Sequence, residues 1–405
     1  MSQQRKKRTM KALRLLLHKA ALVSIAACFL QVLIVTNTYA VEREEFAGRV
    51  YVLSNQLTGN TVVVLGRSED GILTRLQEVS TGGLGSGPGP RPPAFGTGPG
   101  PDALNSADAI ALTENGRFLL AANAGSNELS VLEVTRNGLE LVDKVSSGGQ
   151  FPVSVTSRGD LVYVLNQRGT PNITGFSIDH RGRLHAISNS TQVVGDPSSA
   201  PGEVKLTPDG DLLIVAETLA NFVDVFKIDE DGRTKDRVRF SSNNRTPLAV
   251  AFGHHNVLAL TEGDMLGPQQ GIPHGSSLST YRITEDGTLE PISKAVPNGQ
   301  TATCWTRFSR DGRYVFTGNT GSGTISAFTV SPEGELSLLA AVAADTGGPA
   351  SVPLDLDITR DGKYLYGISS LIGTVKGWRI EDNGTLTPID SVDGFPLTIQ
   401  GIVVR

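Results

Sequence analysis

The sequence predicts an all-β chain: a seven-bladed β-propeller of four-stranded blades, its ring closed by the C-terminal strand completing blade 1. Three observations predict it. A module of about 50 residues recurs from residue 48 onward, residues alternate apolar and polar within each module, and Gly-containing turns recur at fixed places between the alternating runs.

Composition points the same way. Of 405 residues, 46 are Gly and 21 are Pro, which favours many turns and short strands over long helices. Two Cys exclude a disulfide-stapled scaffold and a Cys-rich zinc module. Residues 1–40 hold seven Lys/Arg and no acid, so residues 41–405 hold 29 basic and 41 acidic groups, a formal charge of −12. Such a surface repels phosphate backbones and anionic membranes, and no nucleic-acid partner is expected.

Residues 1–40 read as a signal peptide ahead of a propeller at 41–405. Basic residues lead into the apolar run Ala20 to Val35, and the small residues Thr38 and Ala40 fit the −3 and −1 positions of a cleavage site. The run is 16 residues long, short of the ~20 a spanning helix needs. A secreted or periplasmic protein is expected, with no stable membrane insertion after cleavage; an uncleaved anchor is the alternative. Ile25-Ala26-Ala27-Cys28 resembles a lipoprotein box, but the apolar run continues past Cys28. Cleavage leaves Cys304 as the only mature cysteine.

Blade 1 starts directly with a second strand, Arg49 to Leu53, and lacks an innermost one. The following modules are exemplified by residues 115–141 (NGRFLLAANAGSNELSVLEVTRNGLEL), 209–234, 311–337 and 361–387. Each reads as a Gly turn, an apolar strand, a polar link, an alternating strand and a second Gly turn. That second turn falls at Gly71, Gly138, Gly182, Gly232, Gly287, Gly334 and Gly384, with intervals of 67, 44, 50, 55, 47 and 50 residues. Seven units of four strands describe a propeller. The spare segment Leu397 to Val404 supplies the inner strand blade 1 lacks, so no sheet edge stays open.

Both Gly turns belong to the rim carrying the a–b and c–d hairpins. The two long connections, Gly82 to Pro101 and Glu262 to Ser277, belong to the other rim. Irregular loops on a rigid scaffold are where binding groups usually sit, so that rim is the expected functional mouth. The positions following each b strand are Asn55, Asn123, Asn166, Glu217, Glu262, Asn319 and Ser369, all expected to point into it. Asn is the structural default there, since its side chain can hold the b–c turn. Glu217 and Glu262 depart from it in neighbouring blades, and adjacent carboxylates can share a proton or activate water. Arg168, Arg245 and His274 are candidate cations near the same mouth, with Asn166 as a further ligand contact.

No metal and no cofactor is expected. His254-His255 replace an a–b turn on the other rim, and His180 sits in a c–d turn. A Ca²⁺ site from Glu217, Glu262 and Asp264 is the one conceivable alternative.

The unit PDGDLLIVAETLANFVDVFKIDEDG at 208–232 resembles the repeat of the lactonase-type seven-bladed propellers. That family groups bacterial 6-phosphogluconolactonases with carboxymuconate-lactonizing enzymes, and the resemblance spans residues 48–405. It implies a His after Pro leading into the third blade, where this chain has Phe151-Pro152-Val153. It implies an Arg in a GPRH-like lead-in to the fourth, where this chain has Ala200-Pro201-Gly202-Glu203. The acidic residue ending the next strand is retained as Glu217. With the leader supplying export, the resemblance implies a lactonase-like propeller, hydrolysing or forming a small lactone at the channel mouth with Glu217 as its catalytic residue. Its expected partner is a small-molecule lactone or carboxylate, and its expected state a monomer. The alternative is a non-catalytic extracytoplasmic binding or scaffold propeller.

Overall fold

The computed structural model describes residues 46–88, 102–264 and 274–405. The expected signal peptide and the centres of both long connections, 89–101 and 265–273, lie outside the described residues. No helix among the described residues is long and apolar enough to cross a membrane.

Seven antiparallel sheets follow one another around a ring. Their inner a strands are Ile402–Val404, Ile110–Leu112, Gln150–Arg158, Pro201–Leu206, Pro247–Phe252, Thr303–Phe308 and Pro353–Ile358, for blades 1 to 7. The b strands that follow end at Leu53, Asn123, Arg168, Glu217, Glu262, Asn319 and Ser369. Ring closure takes the expected form, because Val50 pairs with Val404 and Val52 with Ile402. The closing strand is shorter than the sequence suggests, with Gln400 and Gly401 adding single backbone bonds to Leu53. In blade 3 the outer strand is split, Leu184–Ala186 and Gln192–Val193 both pairing with Asn172–Ile178.

The a–b turns explain their own sequence. In Thr207-Pro208-Asp209-Gly210 the Thr207 hydroxyl donates to Asp209, the Asp209 carboxylate accepts from the Asp211 N–H, and Gly210 takes φ +86°. Ser309 to Gly312 and Thr359 to Gly362 repeat the device. A side chain at the Gly position would be strained at such φ values.

Alternating side chains on each b strand pack against opposite neighbours. Tyr51 and Leu53 join the core shared with blades 2 to 4, and Val50 and Val52 join the core shared with blades 5 to 7. Tyrosines also stitch blades together: Tyr163 donates to Gly232 O at 2.7 Å, and Tyr366 donates to Gly71 O at 2.6 Å across the ring closure.

The inner strands present an edge toward the axis, and unpaired N–H groups there need acceptors. Side chains of the preceding blade supply several of them. Ser154 and Thr156 accept from Val204 and Leu206, Glu203 accepts from Val250, and Asp355 and Asp357 accept from Ile402 and Val404.

Candidate functional site

The seven positions at the ends of the b strands do not point into the mouth as the sequence suggested. They are buried and bonded to their own blade and to the links that flank it. Asn123 donates to Ser130 Oγ at 2.7 Å and accepts from Thr81 and Asn60 at 2.7 and 3.1 Å. Asn319 donates to Thr324 and Ser326 and accepts from Thr303 and Asn298. Asn166 donates to Ser147 O and Asn172 Oδ1, both at 3.0 Å. Asn55 is bonded to Ser86 and Gln400, and Ser369 donates to Thr346 O. Each is a polar clamp tying a b-strand end to its surroundings.

Glu262 occupies the same clamp in blade 5. Its carboxylate accepts from Ser277 Oγ at 2.7 Å, Ser279 Oγ at 2.9 Å and Asn244 N at 3.0 Å, and burial pushes its pKa up. Glu217 occupies it in blade 4 with a different chemistry. Arg239 Nη2 donates to Glu217 Oε1, and the same guanidinium grips Asp224 through Nε at 2.7 Å and Nη2 at 2.8 Å. Burial, and then the neighbouring Asp224 carboxylate, push the Glu217 carboxyl up to about 8. Gly195 lets the link between blades 3 and 4 close over it: a Cβ there would sit 2.7 Å from Glu217 Oε2.

The expected cations are dispersed. Arg245 pairs with Asp264 at 2.6 Å, and His274 Nδ1 lies 2.6 Å from Gly299 O on the surface. Among the described residues no three acidic, His or Cys side chains gather as a metal site, so Glu217, Glu262 and Asp264 do not form the conceivable Ca²⁺ site. Arg168 has its guanidinium carbon 3.4 Å from the Phe151 ring centroid, and burial lowers its pKa. The two line a cavity of about 330 Å³ with Gln150, Asn127, Ser86 and Leu57. Sequence reading missed Arg239 because it lies on strand d of the blade, 22 residues after its partner. A signal existed: Asp224 is a carboxylate inside the apolar strand FVDVFKI, where the equivalent strands carry Ser130, Ser279 and Ser326.

The mouth of the channel at this rim is filled by the segment leading into blade 2. Ala103, Leu104, Asn105, Ser106 and Ala107 are buried. Ser106 Oγ donates to Val153 O in blade 3, Ala107 N to Gly202 O in blade 4, and Trp305 Nε1 in blade 6 to Ser106 O. Gln167 reaches Leu104 O from blade 3. Val153 and Gly202 stand where the resemblance implied His and Arg, so this segment covers both places. A Cβ on Gly202 would meet Thr218 Oγ1 at 2.7 Å and Asn105 O at 3.2 Å.

Below that plug an ionic cluster joins four blades. Lys205 Nζ lies 2.5 Å from Asp108 Oδ2 and 3.0 Å from Glu203 Oε1. Arg307 lies 2.6 Å from Asp108 Oδ1, 3.3 Å from Asp357 and 3.7 Å from Asp355. Burial pushes the Glu203 carboxyl up to about 8 and the Asp355 carboxyl up to about 7. Burial acts on Asp108 in the same sense, but Arg307 and Lys205 overcome it and hold that carboxyl well below the usual range. The cluster faces an axial cavity of about 400 Å³ that is bordered by a–b turn residues, hence on the hairpin rim.

Among solved structures the chain is similar to the periplasmic gluconolactonase PpgL of Pseudomonas aeruginosa, at 14% identity and TM-score 0.62, covering 88% of this chain and 99% of that one. A Bacteroides fragilis protein that carries a provisional 6-phosphogluconolactonase name is similar at 16% identity and TM-score 0.66, over 89% and 98% of the two chains. At such identities the likeness shows the fold alone. Curated relatives include uncharacterized proteins of Staphylococcus aureus, 29% identical over 92 residues, which is 22% of this chain and 27% of the relative. The chain thus spans about a quarter of the length of those relatives. The family model described as "Lactonase, 7-bladed beta-propeller" matches residues 47–199 and 240–353. Matching well over half of the chain, on a ring of seven four-stranded sheets, it places this protein in the seven-bladed lactonase propeller family.

Proposed function

We propose that the protein is an exported lactonase-type enzyme that opens, or in reverse closes, a small lactone ring beside Glu217. The observation carrying this reading is the contact of Glu217 with Arg239, which pairs a proton-transfer group with a cation. Lactone hydrolysis needs both. In the forward direction the Glu217 carboxylate takes a proton from water as the water oxygen bonds to the ring carbonyl carbon. The Arg239 guanidinium, about one-third exposed, holds the charge that develops on the carbonyl oxygen. The carboxyl then returns the proton to the ring oxygen as the C–O bond breaks, leaving a hydroxy acid. The basic and apolar leader ending at Ala40 supports export.

A second reading, a non-catalytic extracytoplasmic binding propeller, is favoured by the plug. Residues 103–107 cover Val153 and Gly202, and the Glu217 side chain is only 1% exposed. A panel of sugar-acid and aliphatic lactones with purified protein, followed by a pH-indicator assay, separates the two. Turnover supports the first reading, and saturable binding without turnover supports the second. Amino-terminal sequencing of the exported product, expected to start at Val41, tests the leader.

A further inference from the structure

We propose that the axial cavity on the hairpin rim is a second site, binding a small organic acid through its carboxylate or phosphate oxygens. It lies on the rim opposite Glu217 and uses none of the groups of the lactone reading. Its volume of about 400 Å³ suits a small molecule.

The charge balance at its walls carries the inference. Five cations line it: Lys205 from blade 4, Arg307 and Arg310 from blade 6, Arg360 from blade 7 and Arg405 from blade 1. Three carboxylates do so, and all three are already engaged. Asp108 and Asp357 are held by Arg307, with Lys205 also on Asp108, and Glu114 is paired with Arg158 at 2.6 Å. Arg310 and Arg360 occupy the same place in the two turns Ser309 to Gly312 and Thr359 to Gly362. The acids of those turns are taken by others: Asp311 by Arg313 at 2.6 Å, and Asp361 by Thr359 Oγ1 and the Lys363 N–H. Arg310 is also aimed by two neutral acceptors, Thr359 O at 3.2 Å and Ile358 O at 3.3 Å. Cations fixed in place before a ligand arrives cost little ordering on binding.

The surroundings set the size of the ligand. The c–d turns of the same rim carry Glu69-Asp70, Asp229-Glu230-Asp231, Glu285-Asp286 and Glu381-Asp382. Acidic turns at four of the seven blades around a basic centre favour a compact anion over a long polyanion.

The test is calorimetric titration of the whole protein at low salt, with citrate in one arm and inorganic phosphate in the other. Both are repeated on the R310Q/R360Q variant. Saturable one-to-one binding, weakened tenfold or more in the variant and by added salt, is the expected result. Citrate alone identifies a carboxylate ligand, and phosphate alone a phosphorylated one. No saturable binding of either probe overturns the proposal, as does equal affinity in the variant. Both substituted side chains are exposed, and an unchanged melting curve certifies the variant's fold. Lactone turnover is expected to survive it, so this proposal and the Glu217 reading fail separately.

Discussion

Arg307 Nη2 lies 2.6 Å from Asp108 Oδ1, joining the inner strand of blade 6 to the lead-in of blade 2 across 199 residues of chain. The guanidinium also faces Asp355 and Asp357, so one cation answers three carboxylates inside the ring.

Replacing Arg307 by Met leaves those acids without their cation. The expected loss is about 3–5 kcal/mol, the usual cost of breaking one side of a buried pair. Urea unfolding of R307M against the parent measures it.

Stability should fall as pH rises from about 5 to 8. Glu203 and Asp355 have carboxyls pushed up to about 8 and about 7 in the folded state. Their unfolded values lie near 4, so between those limits the native state binds more protons than the unfolded chain. The stabilisation is complete below the unfolded values and is lost through the folded ones. E203Q should flatten the decline, as read from unfolding midpoints across that pH range.

Asn319→Ala removes a clamp whose side chain makes four hydrogen bonds, orphaning buried partners on both sides. A cost of about 1–3 kcal/mol is expected by denaturant titration.

If Glu217 is the base, hydrolysis should increase as pH rises through about 8, where its carboxyl ionises. E217Q should lower kcat by about 10²–10⁴-fold. Undiminished turnover in E217Q removes that residue from the reaction.

Gly202→Arg restores the residue the family resemblance implies, and it should destabilise the protein. The new side chain meets Asn105 O and Thr218 Oγ1 beneath the plug. Overpacking of about 1–3 kcal/mol is the expected size, seen as a lower melting temperature without a gain in lactone turnover.

The fold was legible because its signals are local and repeated. Gly71 to Gly384 marks the same turn seven times, and Arg49 to Leu53 visibly lacks the partner that Ile402–Val404 supplies. The rim bearing the long connections follows from strand order alone. Side-chain direction was less legible. Asn123, Asn166 and Asn319 read as default turn residues, but they also grip Thr81, Ser147 and Asn298 in the link from the preceding blade, which period-two alternation does not report. Arg239 stayed hidden on strand d. The axial cluster stayed hidden for a related reason: Asp108, Glu203, Lys205, Arg307, Asp355 and Asp357 come from blades 2, 4, 6 and 7, and only closure of the ring brings them together.

Blade 1 is stitched from segments about 350 residues apart, Val52 facing Ile402. During synthesis its three outer strands emerge first, and the Val50–Val52 backbone stays unpaired on that side until Ile402–Val404 has left the ribosome. An unfinished arc of this kind offers a template for pairing with another chain. The slow event in assembly is therefore expected to be the pairing of Val50–Val52 with Ile402–Val404, a long-range encounter, and not the formation of any single hairpin.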